Sequence, residues 1–418
     1  MKRDPIVLGE NYILSGDDIA ATLPSANCLI VGSTGCGKST SVLFPTLARA
    51  NYSNPIISYA KEADALAMAQ FLTYNGYKVG VLNINRPETS TFSFDPLSSV
   101  KSSEDIEALA SAITSSIKQT NDDYWPMKAR SVIASLISAV VMTAEDNAPR
   151  MADVLELFDQ MLPEDAGYSI RTPLDHLFDT LEKKYPGCYA VREYNTFRTL
   201  PYRTGSCVRD TAAACLNTCF SESVRKMLRD KPQFDVQRFA NHKEALIVIT
   251  SALEPGQTYY SNLFYRDTER QLLRYAADRG GVLPREIRFM FDDFACTAPV
   301  QGLANDLSLF RSAGMSALLL LQSEQQLDVM YKDEAAVIRQ NCAVYVYFPG
   351  GFDDRSCEIV SKRMGLPYDE ILYAPLGKVF VMVSGRKGVH IPRYNTLESE
   401  EFKEYLNVTR DGKSSHGK

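Results

Sequence analysis

Gly32-Ser33-Thr34-Gly35-Cys36-Gly37-Lys38-Ser39 decides how this 418-residue chain is read. The stretch fits G-x-x-x-x-G-K-[ST], the loop that holds nucleotide phosphates. Asn27-Cys28-Leu29-Ile30-Val31 before it reads as a buried strand, and residues 39–43 after it open a helix. The glycines let backbone N–H groups turn onto phosphate oxygens with no Cβ in the way. The helix N-terminus adds partial positive charge at the same point. Lys38 is expected on the β- and γ-phosphates and the Ser39 hydroxyl on Mg²⁺. Gly32, Ser33, Thr34, Gly35, Cys36, Gly37 and Thr40 complete the expected cradle.

On either side of this loop the pattern is α/β. Strands are expected at 29–31, 56–59 and 79–83, with a helix at 63–74 between the last two. Beyond residue 97 the texture changes to helical periodicity, at 106–117, 129–143, 152–161, 173–184 and 208–228. Strands then return at 245–250, 287–291, 316–321 and 343–348, with helices at 263–277 and 303–313. A hairpin is expected over 378–392, around Gly385-Arg386-Lys387. Alternating strands and helices imply a mainly parallel sheet. The expected organisation is therefore one α/β domain from residues 1–97 and 236–410, interrupted by an all-α domain at 98–235. The polar tail 411–418 is expected to be disordered.

A phosphate loop needs a carboxylate at the end of a neighbouring strand to hold Mg²⁺, directly or through water. Ile287-Arg288-Phe289-Met290-Phe291-Asp292-Asp293 supplies it. Asp292 is the expected Mg²⁺ residue, and Asp293 the residue that orients or deprotonates the attacking water. Gln322, at the end of the strand 316–321, is positioned to contact the γ-phosphate or that water.

A net charge of −6 gives no overall basic field of the kind that marks a nucleic-acid binder. A local basic lining in an assembled pore would not register in that sum. The nine cysteines are scattered, odd in number and partly in apolar runs, which points to free thiols in a reducing cytoplasm. Cys215 and Cys219, four apart on a helix with no histidine near, read as small core residues. Cys36, beside a lysine at a helix N-terminus, is expected to have a lowered pKa and to be oxidisable. No apolar run reaches the ~18 residues of a membrane span, and MKRDPIVLGE lacks a signal-peptide core. A cytoplasmic chain is expected.

In this order the motifs resemble the VirD4/TraG-type coupling ATPases of bacterial conjugation and type IV secretion. The resemblance covers residues 8–394. It rests on the 30–39 loop, Phe44-Pro45-Thr46-Leu47, Asn75-Gly76-Tyr77-Lys78-Val79, Asp95-Pro96-Leu97 and Trp125. Phe291-Asp292-Asp293-Phe294-Ala295 is similar to the family's strand-end motif, and Gln322-Ser323-Glu324-Gln325-Gln326-Leu327 to its Gln-Ser-x-x-Gln-Leu block. Asn341-Cys342 and the 378–392 segment follow in the family's order.

The resemblance implies a RecA-like P-loop motor that binds ATP and Mg²⁺, hydrolyses ATP and assembles as a homo-hexamer. A protomer that is monomeric without ligand is the other state left open. It also implies a helical insertion that recruits substrate, and a motor that moves single-stranded DNA with its relaxase, or an effector protein, into a transfer channel. Arg311, eighteen residues after Asp293, falls where the family tends to place an arginine that reaches a neighbour's nucleotide.

Three departures stand out. The family usually carries two N-terminal transmembrane helices and this chain shows none, so either a membrane or channel-ATPase partner brings it to the inner face of the membrane or it works untethered. Asp293 replaces the usual glutamate, drawing the carboxylate back by roughly 1.3 Å, which points to weak turnover. The second-strand Asp-x-Lys-x-Glu appears as Tyr59-Ala60-Lys61-Glu62-Ala63. The alternative function is an ATP-binding adaptor that recruits substrate with little hydrolysis. Strand-contact candidates are Arg386-Lys387, Lys362-Arg363, and Arg198, Arg203 and Arg209 among Phe197 and Tyr202.

Overall fold

The computed structural model of the chain describes residues 2–116, 123–144, 148–161, 172–250, 255–294, 299–351 and 353–414. Cys296 lies outside them. The chain divides into two compact units. One comprises residues 1–85, 235–253 and 268–418, and the other 86–234 and 254–267.

The first unit is built on a sheet in which nine strands are described. After a short hairpin of β1 (Ile6–Gly9) and β2 (Tyr12–Leu14), these are β3 (Cys28–Gly32), β4 (Ser53–Tyr59), β5 (Lys78–Asn83), β6 (Glu244–Ile249), β7 (Glu286–Phe291), β8 (Met315–Leu321), β9 (Val344–Phe348), β10 (Lys378–Val383) and β11 (Val389–Pro392). Their order is β11-β10-β9-β3-β8-β7-β4-β6-β5. From β9 to β5 every pairing is parallel, while β10 runs antiparallel to both β9 and β11. The sequences explain this: Cys28-Leu29-Ile30-Val31 and Leu318-Leu319-Leu320-Leu321 do not alternate, and both strands are buried along their whole length. Continuous apolar strands are what a parallel sheet covered on both faces requires. The fold is thus mixed α/β with a largely parallel central sheet.

The N-terminal arm is sewn to the sheet by buried charge. Asp4 accepts from the backbone N–H of Ser53 (2.7 Å) and from its hydroxyl (2.6 Å). Arg288 in β7 donates to the carbonyls of Asp4 and Pro5 and pairs with Glu286 at 3.1 Å, both side chains fully buried.

The second unit is helical. Its central helix, Tyr124–Thr143, is buried on every side from Val132 to Val140, the signature of a helix enclosed by others. Helices Ser103–Thr114, Tyr189–Arg198 and Tyr202–Cys219 pack around it. Cys215 and Cys219 are buried here as small core residues, and burial raises both thiol pKa values.

Two expectations need correction. The single helix expected at 208–228 is two, Tyr202–Cys219 and Glu222–Asp230. Ser221 breaks it, because its hydroxyl accepts from Val224 N–H and starts a new helix. The tail expected to be disordered from residue 411 continues a helix as far as Ser414. Phe402 and Tyr405 dock this helix on the aromatic rings of Phe44 and Phe71, and propagation past a docked turn is cheap. Residues 415–418 lie outside the described set. Among the described residues no helix is long and apolar enough to cross a membrane.

Asp95 ties the start of the helical unit together. Its carboxylate accepts from the N–H of Leu97 (2.9 Å) and of Met151 (2.8 Å). Burial pushes its pKa from 3.8 up to about 6, against these hydrogen bonds. The folded chain therefore holds this proton more tightly than the unfolded one. The resulting stabilisation is full below about pH 4 and is lost as pH rises through 6. Between pH 4 and 7 the wild type is expected to lose about 3 kcal/mol relative to Asp95→Asn. Urea unfolding of both proteins across that range checks it, and parallel pH profiles would refute it.

Candidate nucleotide site

Parallel pairing brings the C-terminal ends of the strands to one edge, where ligands bind in open α/β sheets. The loop 32–39 leaves β3 at that edge. Gly35 and Gly37 have φ of +79° and +99°, which only glycine adopts without strain. Behind the loop, Ser39–Leu43 winds as a π-turn before the α-turn Phe44–Ala48. Pro45 has no N–H to continue an α-helical ladder, so the wider turn absorbs the missing bond.

Asp292 follows β7, with β8 standing between it and β3. The Ser39 hydroxyl donates to Asp292 Oδ1 at 2.6 Å. Lys38 is buried, and its amine donates to the loop carbonyls of Gly32 and Ser33. A phosphate would replace these neutral acceptors with charged ones. Burial raises the Asp292 pKa, with the neighbouring Asp293 adding to the rise, while the Ser39 hydrogen bond and Lys38 oppose it. Two hard oxygens, one a carboxylate, are the share a protein gives to Mg²⁺ beside substrate phosphates, so Ser39 and Asp292 fit this ion.

Asp293 stands next to it with φ of +54°. Aspartate is among the few residues with a side chain that adopt the left-handed region readily. The turn that aims this carboxylate therefore favours aspartate over glutamate. The cleft is lined by Thr34, Gly35, Gly37, Lys38, Ser39 and Thr40 on the loop side and by Asp292 and Asp293 opposite. It also takes in Tyr59, Ala60, Lys61 and Asp64 from the end of β4 and the helix after it. Of these last four, only Lys61 carried a motif signal in the sequence.

Gln322 follows β8 at the level of Gly32, since Leu321 pairs with Val31. Its backbone N–H donates to Gln326 Oε1 at 2.8 Å, and it stands on the strand between the loop and Asp292 without lining the cleft. Arg311 is not brought to the site within this chain. It is exposed in the last turn of helix Leu303–Ala313, just before β8 begins. It thus lies near the opposite edge of the sheet, about 20 Å away by strand length. The segment after β11 was missed. Arg393 donates to the carbonyl of Cys36 at 3.1 Å, and the Thr396 hydroxyl to that of Thr40.

Cys36 corrects its expectation. The thiol is buried, and burial raises its pKa above the usual 9.0 despite Lys38 beside it. The Lys38 amine, which donates to the sulfur at 3.9 Å as well as to the loop carbonyls, opposes the rise, and desolvation outweighs it.

Several arginines singled out for strand contact have partners within their own unit. Arg198 pairs with Asp179 at 2.7 Å, Arg386 with Asp18 at 3.5 Å, and Arg363 stacks over Tyr345. Phe197, Arg198, Tyr202 and Arg209 line one pocket of the helical unit, together with Asp175.

A family model described as type IV secretory system conjugative DNA transfer matches residues 2–366. Among solved structures, the chain is similar to the bacterial conjugative coupling protein TrwBΔN70 in its unbound form. That match has 18% identity and a TM-score of 0.68, covering 94% of this chain and 89% of that one. TrwB in complex with the non-hydrolysable ATP analogue ADPNP matches with 17% identity and a TM-score of 0.63, covering 93% and 89%. VirB4 of Thermoanaerobacter pseudethanolicus matches with 13% identity and a TM-score of 0.58, covering 97% and 99%. No curated protein sequence matches significantly.

The buried thiol gives a direct check on the loop. At pH 8 iodoacetamide is expected to modify the exposed Cys207 at least ~10-fold faster than Cys36. Peptide mass spectrometry over time measures both, and equal rates would mean that the loop does not shield its cysteine.

Proposed function

Because the chain belongs to the type IV secretory system conjugative DNA transfer family, we propose that it is an ATP-driven coupling motor. It delivers single-stranded DNA with its relaxase, or a protein substrate, to the transfer channel of a conjugative or type IV secretion system. The observation that carries this reading is the 2.6 Å contact of Ser39 Oγ with Asp292, beside Lys38 and Asp293 in one cleft. TrwB was solved with ADPNP and with ADP and Mg²⁺ on the same fold, which supports ATP and Mg²⁺ as ligands here.

In the proposed reaction the Lys38 amine moves from the loop carbonyls to the β- and γ-phosphates, and the backbone N–H groups of the loop hold the remaining oxygens. Mg²⁺, held by Ser39 and Asp292, neutralises phosphate charge when bound. Asp293 accepts a proton from the water that attacks the γ-phosphorus, the bond to the β-phosphate oxygen breaks, and ADP and phosphate leave. Gln322 reports the state of that phosphate from the neighbouring strand. Arg311 reaches a neighbouring protomer's nucleotide in a homo-hexameric ring, where it neutralises developing charge. Residues 1–97 and 236–410 serve as the motor and 98–235 as the substrate-recruiting domain. The protein works on the cytoplasmic side, brought to the membrane by a partner.

ATP turnover is expected to rise several-fold with single-stranded DNA, and particle mass to shift to a hexamer with nucleotide. Equal rates with and without DNA at every salt concentration would remove the basis of the DNA-motor reading. Asp293→Glu is expected to lower turnover about fivefold, because glutamate tolerates the left-handed turn less well. A large rise would show that aspartate limits the site, as an adaptor requires.

A further inference from the structure

The turn that carries Gln322 is short. It joins the end of β8 at Leu321 to a helix that begins at Glu324 and runs to Tyr331. β8 is buried along its whole length between β3 and β7, so the strand side of this turn is fixed by packing. Gln326 closes the turn from within. Its Oε1 accepts from Gln322 N–H at 2.8 Å, and its own N–H donates to the Ser323 hydroxyl at 3.3 Å. What remains free to move Gln322 is the helix behind it.

Glu324, the first residue of that helix, is fully buried. A carboxylate in the first turn of a helix is already favoured while exposed to water, so its burial needs another cause. Arg339, on the helix Glu334–Asn341, donates from Nε to Glu324 Oε2 at 2.7 Å, and its side chain is only 12% exposed. The same guanidinium donates to the Glu324 carbonyl at 3.3 Å and to Asp328, one turn on, at 2.5 Å. A second helix, Asp354–Met364, holds the same residue. Ser356 on it accepts from Glu324 N–H at 3.1 Å and is itself bonded to the capping residue Asp353.

Stability does not explain such a pair. Taking two charges out of water costs about what their attraction returns, and apolar residues of the same volume would hold the helix as well. The pair supplies direction. The rigid fork of the guanidinium bonds a side chain, a carbonyl and the next turn together, which fixes both the place and the rotation of the helix. Its own helix is anchored to the strands that place the phosphate loop. Asn27, just before β3, donates to the Asn341 carbonyl at 3.0 Å and accepts from Ala317 N–H of β8 at 3.0 Å.

We infer that Glu324 and Arg339 are positioning residues for ATP hydrolysis: their buried pair holds the Gln322 turn in register with the phosphate loop. Neither side chain lines the nucleotide cleft, so both act through Gln322. The inference rests on the proposal that this chain hydrolyses ATP with Gln322 at the terminal phosphate, and it adds which buried charges aim that residue. Loss of the pair therefore spares nucleotide binding and slows the chemical step.

Steady-state ATPase kinetics of the full chain with single-stranded DNA test this. Glu324→Gln keeps the shape and removes the charge. It is expected to lower kcat at least ~10-fold, with KM and the affinity for a fluorescent ADP analogue within ~2-fold of wild type. In a Gln322→Ala background the same substitution is expected to cost less than ~2-fold, because both changes act through one group. Arg339→Lys keeps the charge and loses the fork, and is expected to lower kcat ~3-fold at unchanged KM. That variant carries the test if Glu324→Gln does not fold. Wild-type kcat in a folded Glu324→Gln or in Arg339→Lys, or a full additional loss on top of Gln322→Ala, would overturn the inference and leave the ATPase reading intact. Gln322→Ala with wild-type turnover would remove the role of Gln322, and wild-type protein without turnover the hydrolytic reading; the inference falls with either.

Discussion

One contact organises this molecule: the hydroxyl of Ser39 on the carboxylate of Asp292. It joins residues 253 positions apart, and it forms only because two parallel strands with one strand between them end at the same edge. Both strands are buried along their whole length, β3 as an apolar run and β7 with Arg288 bonded to the carbonyls of Asp4 and Pro5, so a slip by one residue would misplace closely packed side chains and leave that buried charge without its partners. The register that pairs Val31 with Leu321, and Phe291 with Leu319, therefore also sets how far the loop stands from the carboxylate. Core packing and site geometry are the same constraint seen from two distances.

The conformation at Asp293 adds a second constraint. The chain turns left-handed directly after Asp292, and this makes aspartate the conformationally easier acid at a position where the resemblance leads one to expect glutamate. What reads in sequence as the loss of a methylene is, in the fold, also a gain in backbone ease. The cysteine of the loop moves the other way. Placed by sequence beside a lysine, it reads as activated. Packed in the fold, it is desolvated, and desolvation decides.

The parts of the site that sequence made legible are those with local causes. The glycine loop, the acid pair at the strand end and the apolar strands each follow from side-chain chemistry within about ten residues. Asp292 could be assigned because a strand ending in acid is a local pattern. Arg393 could not, because nothing near it in sequence marks it. It meets Cys36 only after two antiparallel strands have folded back onto the parallel sheet. Arg311 was placed by resemblance and lies away from its own chain's cleft. The break at Phe220-Ser221 was hidden because the apolar spacing runs through it, and only the hydroxyl cap distinguishes two helices from one. The continuing C-terminal helix was hidden by its polar end, whose order comes from rings docked a turn or two earlier.

The pairing of β5 with β6 carries a further consequence. These neighbours align residue for residue, Lys78 with Glu244 and Asn83 with Ile249, yet the whole helical stretch lies between them in sequence. Topologically that stretch is a crossover, doing the job a single short helix does elsewhere in the sheet. The motor requires of it only that its two ends meet the strand ends, roughly 20 Å apart for six residues. Because loop-closure entropy grows only logarithmically with length, lengthening such a connection destabilises the sheet very little. The insertion is thus a cassette on fixed mounts. Its length and interior can change while β5 and β6 keep their residue-for-residue alignment.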